Sequence, residues 1–478
     1  MKKLKDIIEC DYNIPIQDIK TDSREVKKGD LFVAVKGFNI DHNLYIDNAI
    51  KNGAVAIITD KDYKSNVPII KVNDIDKVLV DICKKKYDFN SNLKLIGVTG
   101  TDGKTTTATI IKILLDKKDK TAYIGTNGIE YLNKKESISN TTPTVEKLYK
   151  YFSDIDKNNI STVCMEVSSE ALLHKRVDSL RFKYVVYTNI TEDHLNIHKT
   201  IENYIESKLK LSTLLDSNGI IIINNDDNKQ KDLKNSNKKI YTYGKNKDSD
   251  FLIKDIKYLD NITRFIIEHN NKQYKIKSTL LGEYNIYNLT AAFIVCYLEG
   301  MKPRNIISNI KRLSSIDGRG EILSFGQKYT IVLDYAHTEN SIKNIVEEVK
   351  DKYKRIIVVT GSAGGREKEK RKHIGKYLLD NTDLVIFTMD DPRCENVDYI
   401  IDDMISISNK TNYKRIISRS NAIKYALDIA KEDDIVLILG KGRDNYMAIG
   451  DEKIPYNDYE EIEEYFTRKI VKWYNIHH

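Results

Sequence analysis

The sequence predicts an α/β protein of three domains whose sheets are mostly parallel. At roughly 150 residues per domain, 478 residues suffice for about three domains. Short apolar strand patterns alternate with helical patterns along most of the chain, as is typical of parallel sheets that carry helices on both faces. Several of these strands run directly into glycine-rich or polar segments, and open α/β sheets bind ligands at the carboxyl ends of their strands.

The composition excludes several classes of protein. Hydrophobic residues make up 41% of the chain and charged residues 31%, which excludes a disordered protein. The net charge, 77 − 70 = +7, is spread along the chain, which suits an enzyme of small anionic molecules better than a nucleic-acid binder. No apolar run approaches the ~18 residues needed to span a bilayer, and the start has no apolar signal core. The five cysteines have no paired spacing and indicate reduced thiols, so we expect a cytoplasmic protein.

The first domain is predicted to cover residues 1–90. Apolar runs at residues 31–35 and 54–58 lie between helical patterns. This alternation predicts a small α/β module.

The central domain is predicted to cover residues 91–316. A buried strand at residues 94–98 leads straight into the segment 100–106, and a helix is predicted for residues 107–115. Further strands are predicted at residues 162–167, 184–187 and 219–223. Residues 238–278 contain short, more polar strand patterns with turns, which predict an antiparallel appendage to this domain.

The last domain is predicted to cover residues 317–478. Its apolar strands are predicted at residues 330–333, 355–359, 384–387 and 435–439. They lead into the polar or glycine-rich segments 334–337, 361–366, 390–393 and 440–444. Because ligands of open α/β sheets lie at strand ends, these segments together predict one ligand site.

The segment after the first central strand has the composition of a phosphate-binding loop. Gly100 and Gly103 allow the backbone to approach a phosphate, Lys104 supplies a positive charge, and the Thr105 hydroxyl can bind Mg²⁺. The full Walker pattern requires glycine where this chain has Val98, so the match is to the shorter TGTxGKT variant. Its place between a strand and a helix predicts nucleotide binding.

Two further residues are candidate metal ligands. Glu166 ends a predicted strand, where many phosphate-loop proteins hold Mg²⁺. His194 follows another strand, and its spacing fits a second metal ligand and a hydrogen-bonded loop histidine equally well.

Lys208 lies in a helical pattern at residues 200–215. The apolar stripe of this helix consists of Ile201, Ile205 and Leu209. Tyr204 and Lys208 fall on a flanking row, so the pattern alone predicts an exposed amphipathic lysine. Burial would instead lower the pKa of the amine and allow it to react with CO₂.

The last domain carries charged side chains at its predicted strand ends. They are Arg319, Asp334, His337, Arg366, Arg393, Lys441 and Asp444. Arginine binds a carboxylate in a bidentate manner and aspartate binds an ammonium, so this set suits a zwitterionic substrate. The alternative is a salt-bridge network between surface loops.

Taken together, these segments resemble the Mur ligase family, the ATP-dependent enzymes that build the peptide stem of peptidoglycan. The match is closest to its MurE-type branch, which adds the third residue. It extends from Asp22-Ser23-Arg24 to Gly440-Lys441-Gly442 in the family's order. The resemblance implies a UDP-binding N-terminal domain, a central ATPase domain and a Rossmann-like C-terminal domain that receives the amino acid. It also implies ATP and Mg²⁺ as cofactors and a monomer that does not insert into membranes.

The resemblance implies roles for residues that spacing alone does not assign. The implied ATP contacts are Gly100, Thr101, Asp102, Gly103, Lys104, Thr105, Thr106, Asn288, Arg319 and Asp334. The implied Mg²⁺ ligands are Thr105, Glu166, His194 and Lys208, with Lys208 carbamylated. The implied contacts to UDP-MurNAc-dipeptide are Ser23, Asn140, Thr141, Thr142, Ser168, His174 and Arg176. Lys104, His194 and Lys208 would be catalytic.

The acceptor side of the resemblance points to a diamino acid. Asp390-Asp391-Pro392-Arg393 is similar to the DNPR segment of the enzymes that add meso-diaminopimelate. The resemblance implies that Arg393 and Arg366 bind the distal carboxylate, which lysine lacks. The implied amino-acid site comprises Arg366, Asp390, Asp391, Pro392, Arg393, Gly440 and Asp444. The chain departs from the family at Asp391, where the family has Asn, and at Arg443-Asp444, where it has His-Glu.

The implied reaction forms an amide through an acyl phosphate. The γ-phosphoryl group of ATP would pass to the D-Glu side-chain carboxylate, and the incoming amine would then displace phosphate. L-Lysine or another diamino acid is an open alternative to diaminopimelate. The residues also leave open a folylpolyglutamate-synthetase-like ligase and, outside the enzymes, a nucleotide-dependent scaffold that binds UDP-sugars.

Overall fold

A computed structural model describes residues 2–36, 41–89, 93–138, 140–259, 262–280, 282–366 and 368–477, with backbone only for residues 470–477. The chain divides into two compact units. Unit 1 comprises Met1–Thr99, Leu115–Val185 and Ser207–Gly219, and unit 2 comprises Gly100–Leu114, Val186–Glu206 and Ile220–His478. The predicted boundary between residues 90 and 91 lies outside the described residues.

The N-terminal part of unit 1 is a four-stranded parallel sheet in the order β1-β2-β3-β4. Its strands are Ile19–Lys20 (β1), Leu31–Val33 (β2), Ala56–Thr59 (β3) and Ile69–Lys71 (β4). Its helices are Leu4–Ile7 (α1), Ile46–Lys51 (α2) and Ile75–Tyr87 (α3). Phe32, Ile46 and Ile57 belong to its buried apolar cluster. The predicted α/β module is confirmed.

The rest of unit 1 belongs to a second sheet, in the order β10-β5-β9-β6-β7-β8. Its strands are Lys94–Thr99 (β5), Thr121–Gly125 (β6), Gly128–Tyr131 (β7), Lys134–Glu136 (β8), Thr162–Glu166 (β9) and Phe182–Tyr187 (β10), the last ending in unit 2. The helices in this stretch of chain are Lys104–Leu115 (α4), Val145–Lys157 (α5) and Ser169–Leu173 (α6). β9 pairs in parallel with both β5 and β6, as predicted for a mostly parallel sheet.

Helix α4 begins three residues before the predicted start, at Lys104 rather than Thr107. The backbone N–H of Thr107 donates to the carbonyl oxygen of Gly103, 2.9 Å away. The glycine turn itself therefore closes the first turn of the helix.

The central part of unit 2 continues the chain through helices Leu195–His198 (α7) and Ile201–Leu209 (α8), although α8 ends in unit 1. Strands follow at Leu215–Asn224 (β11), Lys239–Gly244 (β12), Phe251–Leu259 (β13), Ile262–His269 (β14) and Lys272–Ser278 (β15), and then helices Glu283–Leu298 (α9) and Pro303–Ile310 (α10). β13, β14 and β15 are antiparallel, as predicted. The prediction is wrong for β12, which pairs in parallel with β11 because the crossover Asn228–Asn235 brings the chain back to the same end of the sheet.

The C-terminal part of unit 2 is a six-stranded sheet in the order β16-β17-β21-β18-β19-β20. Its strands are Glu321–Leu323 (β16), Thr330–Asp334 (β17), Arg355–Thr360 (β18), Leu384–Phe387 (β19), Tyr413–Arg415 (β20) and Asp434–Leu439 (β21). Its helices are Glu339–Val349 (α11), Lys368–Asn381 (α12), Val397–Ile405 (α13), Arg419–Ile429 (α14) and Asp458–His477 (α15). Strands Tyr446–Ile449 (β22) and Glu452–Pro455 (β23) form a separate hairpin.

Helices cover both faces of this C-terminal sheet. Val332 packs with α11, α12 and α13 on one face, whereas its neighbours Ile331 and Leu333 pack with α14 and α15 on the other. Successive side chains of a strand point to opposite faces, so strands buried on both sides must be apolar throughout. The predicted α/β fold class is confirmed. None of the helices in the described part of the chain has the length and apolar character needed to cross a membrane.

Candidate functional site

The loop between β5 and α4 requires glycine at two positions. Gly100 has φ of +151° and Gly103 has φ of +81°. A Cβ atom on Gly100 would lie 1.9 Å from Oγ1 of Thr188, and one on Gly103 would lie 2.5 Å from Oδ1 of Asn288. Both contacts are too short for a side chain, so the backbone of this loop is held close to its neighbours.

Residues after β10 hold the phosphate loop from the side. The N–H of Thr101 donates to the carbonyl oxygen of Asn189 (2.7 Å), and the N–H of Asp102 donates to Oδ1 of Asn189 (3.0 Å). The Thr188 hydroxyl donates to the carbonyl oxygen of Asp102 at 2.6 Å. Lys104 extends its ammonium back over the same loop. A fixed loop with a lysine at a helix N-terminus is suited to binding phosphate.

Two predicted ATP contacts from later in the chain lie at this loop. A guanidinium nitrogen of Arg319 donates to the Thr105 hydroxyl at 2.8 Å, and the guanidinium carbon of Arg319 lies 4.6 Å from the centre of the Tyr335 ring. Asn288 accepts a hydrogen bond from the Thr107 hydroxyl at 3.1 Å. The structure therefore brings Arg319 and Asn288 to the phosphate loop, as expected from the sequence.

Two polar atoms of this cluster are candidates for ligand contacts. Oδ2 of Asp102 and Nε of Arg319 are buried and have no hydrogen-bond partner among the described residues. Buried polar groups are nearly always paired, and exceptions in a folded chain often mark functional sites.

Asp334 braces the turn that carries Arg319. Its carboxylate accepts hydrogen bonds from the N–H groups of Gly320 and Ala336. Burial raises the pKa of Asp334 to about 6, although the nearby Arg319 charge lowers it. The structure thus shows Asp334 bound to backbone groups on either side of its own strand, β17.

His194 lies beside a half-buried ion pair that the sequence did not predict. Oδ1 of Asp193 lies 2.9 Å from the ammonium of Lys370, and Oδ2 lies 3.6 Å from Nε2 of His194. Burial opposes ionisation of Asp193, but the charges of His194, Lys370 and His337 hold its pKa well below the ordinary value. Two features of the sequence could have indicated this pair. Asp193 directly precedes His194, and Lys370 lies four residues after Arg366.

The side chain of Glu166, in unit 1, is held by Tyr123 and Thr126, which the sequence did not predict to be near it. Its carboxylate accepts hydrogen bonds from the Tyr123 hydroxyl and from the N–H of Thr126, at 2.9 Å for the latter. A Cβ atom on Gly125 would lie 2.2 Å from Oε1 of Glu166. The end of β6 therefore orients this carboxylate.

Lys208 is buried, with 1% of its surface exposed, and so is Tyr204 on the same helix. The stripe residues Ile201, Ile205 and Leu209 are only half-buried. The exposed lysine predicted from the helical pattern is therefore wrong: the row of Tyr204 and Lys208 is the buried one. Burial of a lysine is costly unless its charge is neutralised or paired.

The predicted metal ligands are distributed over both units, with Thr105 and His194 in unit 2 and Glu166 and Lys208 in unit 1. In the part of the chain that the structure describes, no group of three or more His, Cys, Asp or Glu side chains is arranged to hold a metal. Of the four predicted metal ligands, only Glu166 and His194 belong to those residue types.

The residues predicted for the peptide substrate cluster in unit 1. The Thr142 hydroxyl donates to the carbonyl oxygen of Glu166 at 2.9 Å and accepts from the N–H of Ser168 at 3.0 Å. Arg176 donates to the carbonyl oxygen of Thr142 at 3.0 Å. Burial and the Arg176 charge lower the pKa of His174.

The remaining residues of the predicted substrate site, Ser23, Asn140 and Thr141, precede this cluster in the sequence. The hydroxyl groups of Thr141 and Thr126 form a hydrogen bond of 3.1 Å. Asn140 is exposed. Ser23 is buried in the N-terminal module, where its carbonyl oxygen accepts a hydrogen bond from the Asn52 side chain at 2.9 Å.

The predicted amino-acid site is built around the buried ammonium of Lys441. This ammonium lies 2.8 Å from Oδ1 of Asp391 and 3.5 Å from Oδ2 of Asp444. Burial raises the pKa of Asp390 and raises that of Asp444 to about 6. A Cβ atom on Gly440 would lie 2.1 Å from Oδ2 of Asp390, so only glycine fits beside this carboxylate.

Two arginines border this acidic cluster. A Cβ atom on Gly365 would lie 3.5 Å from a terminal nitrogen of Arg393, which places that guanidinium beside the loop of Arg366. Arg393 is exposed and Arg366 half-buried, and neither forms an ion pair among the described residues. Lys441 and its carboxylates therefore form the salt bridges that the alternative interpretation predicted, whereas Arg366 and Arg393 do not.

Arg443, which stands where the resemblance implies histidine, is used within the fold. Its guanidinium binds the carboxylate of Glu321 through two nitrogens and stacks 3.6 Å from the centre of the Tyr459 ring. Arg443 therefore links Glu321 of β16 to Tyr459 of α15.

Three family models match segments of the chain between residues 15 and 442. The model described as Mur ligase family, catalytic domain, matches residues 15–87. The Mur ligase middle domain matches residues 98–296, and the Mur ligase, glutamate ligase domain, matches residues 318–442.

Curated relatives are similar over the same length. The chain is 35% identical to the UDP-N-acetylmuramoyl-L-alanyl-D-glutamate–2,6-diaminopimelate ligase of Clostridium tetani, over 97% of this chain and 98% of that protein. It is 37% identical to the enzyme of the same name from Aquifex aeolicus, over 94% of this chain and 93% of that protein.

Solved structures show the same fold. A structure of a UDP-N-acetylmuramoyl-L-alanyl-D-glutamate–2,6-diaminopimelate ligase aligns with a TM-score of 0.65 and 26% identity, covering 98% of this chain and 99% of that one. The MurF ligase of Thermotoga maritima in complex with ADP aligns with a TM-score of 0.68 and 21% identity, covering 95% and 98% of the two chains. At that identity, the second match shows the fold alone.

Proposed function

The chain belongs to the Mur ligase family, and from this premise we propose that it adds meso-2,6-diaminopimelate to UDP-MurNAc-L-Ala-D-Glu in an ATP-dependent reaction. The new amide would join an amino group of diaminopimelate to the side-chain carboxylate of D-Glu. The observation that carries the choice of amino acid is the Arg393 guanidinium, which lies beside the loop of Arg366 and two residues after the Asp391 carboxylate that pairs with Lys441. Relatives whose names specify diaminopimelate support the same choice.

Nucleotide binding is assigned to the phosphate loop and the residues that surround it. Residues 100–106 would bind the phosphates of ATP, with Lys104 supplying positive charge. The buried Nε of Arg319 and Oδ2 of Asp102 would gain polar partners when the nucleotide binds. Asn288 and Asp334 complete the proposed ATP site.

The residues present fit Mg²⁺, because the Glu166 carboxylate and the Thr105 hydroxyl are oxygen ligands of the kind that Mg²⁺ prefers, and the His194 imidazole would add a further donor. Thr105, Glu166, His194 and Lys208 are the proposed ligands, and carbamylation would turn the buried Lys208 amine into a carboxylate. Bound Mg²⁺ would neutralise charge on the phosphates. The bonds from Tyr123 and Thr126 hold Glu166 in one orientation for this role.

The proposed reaction divides a difficult amide formation into two steps. The γ-phosphoryl group of ATP passes to an oxygen of the D-Glu carboxylate and ADP leaves. The neutral amine of the acceptor then attacks the acyl carbon, phosphate leaves with the former carboxylate oxygen, and the amine loses a proton. Lys104 and Arg319 stabilise negative charge on the transferring group, which is the main contribution a protein makes to phosphoryl transfer.

Recognition of the peptide and the amino acid is assigned to separate groups of residues. Ser23, residues 140–142, Ser168, His174 and Arg176 would bind UDP-MurNAc-L-Ala-D-Glu. Asp390, Asp391 and Asp444 would bind ammonium groups of the diamino acid, while Arg366 and Arg393 bind its distal carboxylate.

A phosphate-release assay tests this proposal. The full chain is given ATP, Mg²⁺ and UDP-MurNAc-L-Ala-D-Glu with meso-diaminopimelate, L-lysine or L-ornithine in turn. We expect kcat/KM for diaminopimelate to exceed that for lysine on the order of 10²-fold, because lysine leaves both guanidinium groups without their carboxylate.

Three results would contradict the proposal. Equal kcat/KM for lysine and diaminopimelate would show that Arg366 and Arg393 do not select the amino acid through its distal carboxylate. Turnover with a folate and glutamate instead would favour a folylpolyglutamate-synthetase-like ligase. Nucleotide binding without phosphate release under any of these conditions would favour a scaffold.

A further inference from the structure

We infer that the hairpin of β22 and β23 positions the Arg393 guanidinium and thereby sets the distal-carboxylate end of the amino-acid site. The inference rests on the proposed function. It gives a positioning role to Met447 and Ala448, which lie outside the predicted site.

The turn that carries Arg393 has an uncommon backbone conformation. Asp391 has φ of +42° and Arg393 has φ of +52°, values that residues with a side chain seldom adopt. Such a conformation costs free energy and persists only where surrounding contacts hold it. Two left-handed residues within three positions therefore need an external support.

Met447 and Ala448 of strand β22, together with Gly450 in the turn that follows it, supply that support. The N–H of Ala448 donates to Oδ1 of Asp391, and the N–H of Arg393 donates to the carbonyl oxygen of Ala448, both at 2.9 Å. The N–H of Gly450 donates to the carbonyl oxygen of Arg393 at 2.9 Å, and the N–H of Asp391 points to Sδ of Met447 at 3.2 Å. The turn is thus bound to the hairpin by four hydrogen bonds.

Ala448 directs both of its backbone groups towards this turn. Within the hairpin it stands opposite Lys453, but its N–H and its carbonyl group are used by Asp391 and Arg393. Removal of the Ala448 N–H would therefore weaken the support of the turn while the pairing of β22 with β23 stays in place.

The other side of the turn contacts the loop of Arg366. The N–H of Gly364 donates to the carbonyl oxygen of Asp391 at 3.0 Å, and a Cβ atom on Gly364 would lie 1.9 Å from the carbonyl oxygen of Pro392. The turn is held between the hairpin and this loop. A shift of the turn would change the spacing of the Arg393 and Arg366 guanidinium groups, and two groups that share one carboxylate tolerate little change.

The test compares Ala448→Pro, which removes the N–H, with Ala448→Ser, which keeps it. For Ala448→Pro we expect the KM for meso-diaminopimelate to rise about tenfold, as for the loss of a hydrogen bond to a charged group, with the KM for ATP changed less than about twofold. Hydrogen–deuterium exchange of residues 389–395 in the free enzyme should become faster. Ala448→Ser should match the wild type in all three measurements.

The outcomes separate this inference from the proposed function. Wild-type KM and wild-type exchange in a folded Ala448→Pro variant would overturn the inference. If the wild-type chain does not use diaminopimelate, the proposed function fails. In that case, unchanged exchange of residues 389–395 in Ala448→Pro would overturn the positioning role as well. Should Ala448→Pro not fold, Met447→Leu removes the sulfur acceptor at similar volume, and unchanged exchange in that variant would also refute the role of the hairpin.

Discussion

The carboxyl group of Asp444 illustrates the electrostatics of single residues at the C-terminal strand ends. It lies 3.5 Å from the Lys441 ammonium, yet burial raises its pKa to about 6. Asp334 has a pKa of about 6 for the same reason, and the pKa of Asp390 is also raised. Desolvation therefore outweighs the attraction of nearby cations at all three positions. Carboxyl groups perturbed in this way are typical of functional sites and weaken the fold that contains them.

This conclusion predicts a pH-dependent stability change for Asp444→Asn. Well below pH 3.8 the Asp444 carboxyl is protonated in both the folded and the unfolded chain and does not change the free energy of unfolding. As the pH rises to about 6, the unfolded chain ionises first, so the wild type loses up to about 3 kcal/mol from this group. Urea unfolding should therefore show that the stability of Asp444→Asn relative to the wild type increases between pH 4 and pH 7.

The exposed Asp451 provides the control, because Asp451→Asn makes the same chemical change on the surface. A difference between Asp444→Asn and wild type that is the same at both pH values would contradict the assignment of a raised pKa to Asp444.

At the scale of elements, three ion pairs join helices α14 and α15 in the described part of the chain, and two of them differ in burial. Arg419 and Asp458 are both buried and form two hydrogen bonds, of 2.8 and 2.7 Å. Lys424 and Glu461 join the same helices at 3.3 Å but are partly exposed. A buried charge that loses its partner is far more costly than an exposed one, so these two pairs should differ greatly in their effect on stability.

Arg419→Met should lower the free energy of unfolding by about 3–5 kcal/mol, because it leaves the Asp458 carboxylate buried without its partner. Lys424→Met is the matched control and should lower it by no more than about 1 kcal/mol. Denaturant unfolding of the two variants tests this. Equal losses of unfolding free energy in the two variants would show that burial does not make the Arg419–Asp458 ion pair more important for stability than the Lys424–Glu461 pair.

At the scale of the whole molecule, one ion pair connects the C-terminal sheet with the central part of unit 2. Lys370 is near the start of α12, four residues after Arg366, whereas Asp193 directly precedes His194. The 2.9 Å contact therefore links the helix that follows the loop of Arg366 to the residue that precedes His194. Productive geometry in a ligase requires both substrates to be held in one orientation, and we expect this ion pair to contribute to it.

Lys370→Met should reduce kcat about tenfold or more, since Asp193 would lose its cation beside His194. Lys372→Met, on the same helix, removes only an exposed pair with Glu369 and should leave kcat within about twofold of the wild type. Lys370→Arg should restore part of the activity. Steady-state kinetics under saturating substrates measure all three, and equal kcat for the two methionine variants would refute the role of this ion pair.

Local sequence was sufficient for the strands and for the phosphate loop. Strands β5, β17, β18, β19 and β21 are buried on both faces, so their apolar runs were visible without any partner. Gly100, Gly103 and Lys104 act through backbone geometry within a few residues, which spacing can reveal. The pairing of β12 was not visible, because its direction depends on where a crossover returns the chain.

The sequence by itself therefore determined the α/β class, the order of the segments and the residue types that bear chemistry, since these depend on short-range periodicity and on composition. Tertiary structure decided that Lys208 and Tyr204, rather than the aliphatic stripe, are buried on their helix. It also decided that Asp193 meets Lys370 and that β22 supports Arg393. These contacts join residues between about 50 and 180 positions apart, and a pattern within one segment contains no information about the distant surface that the segment will meet.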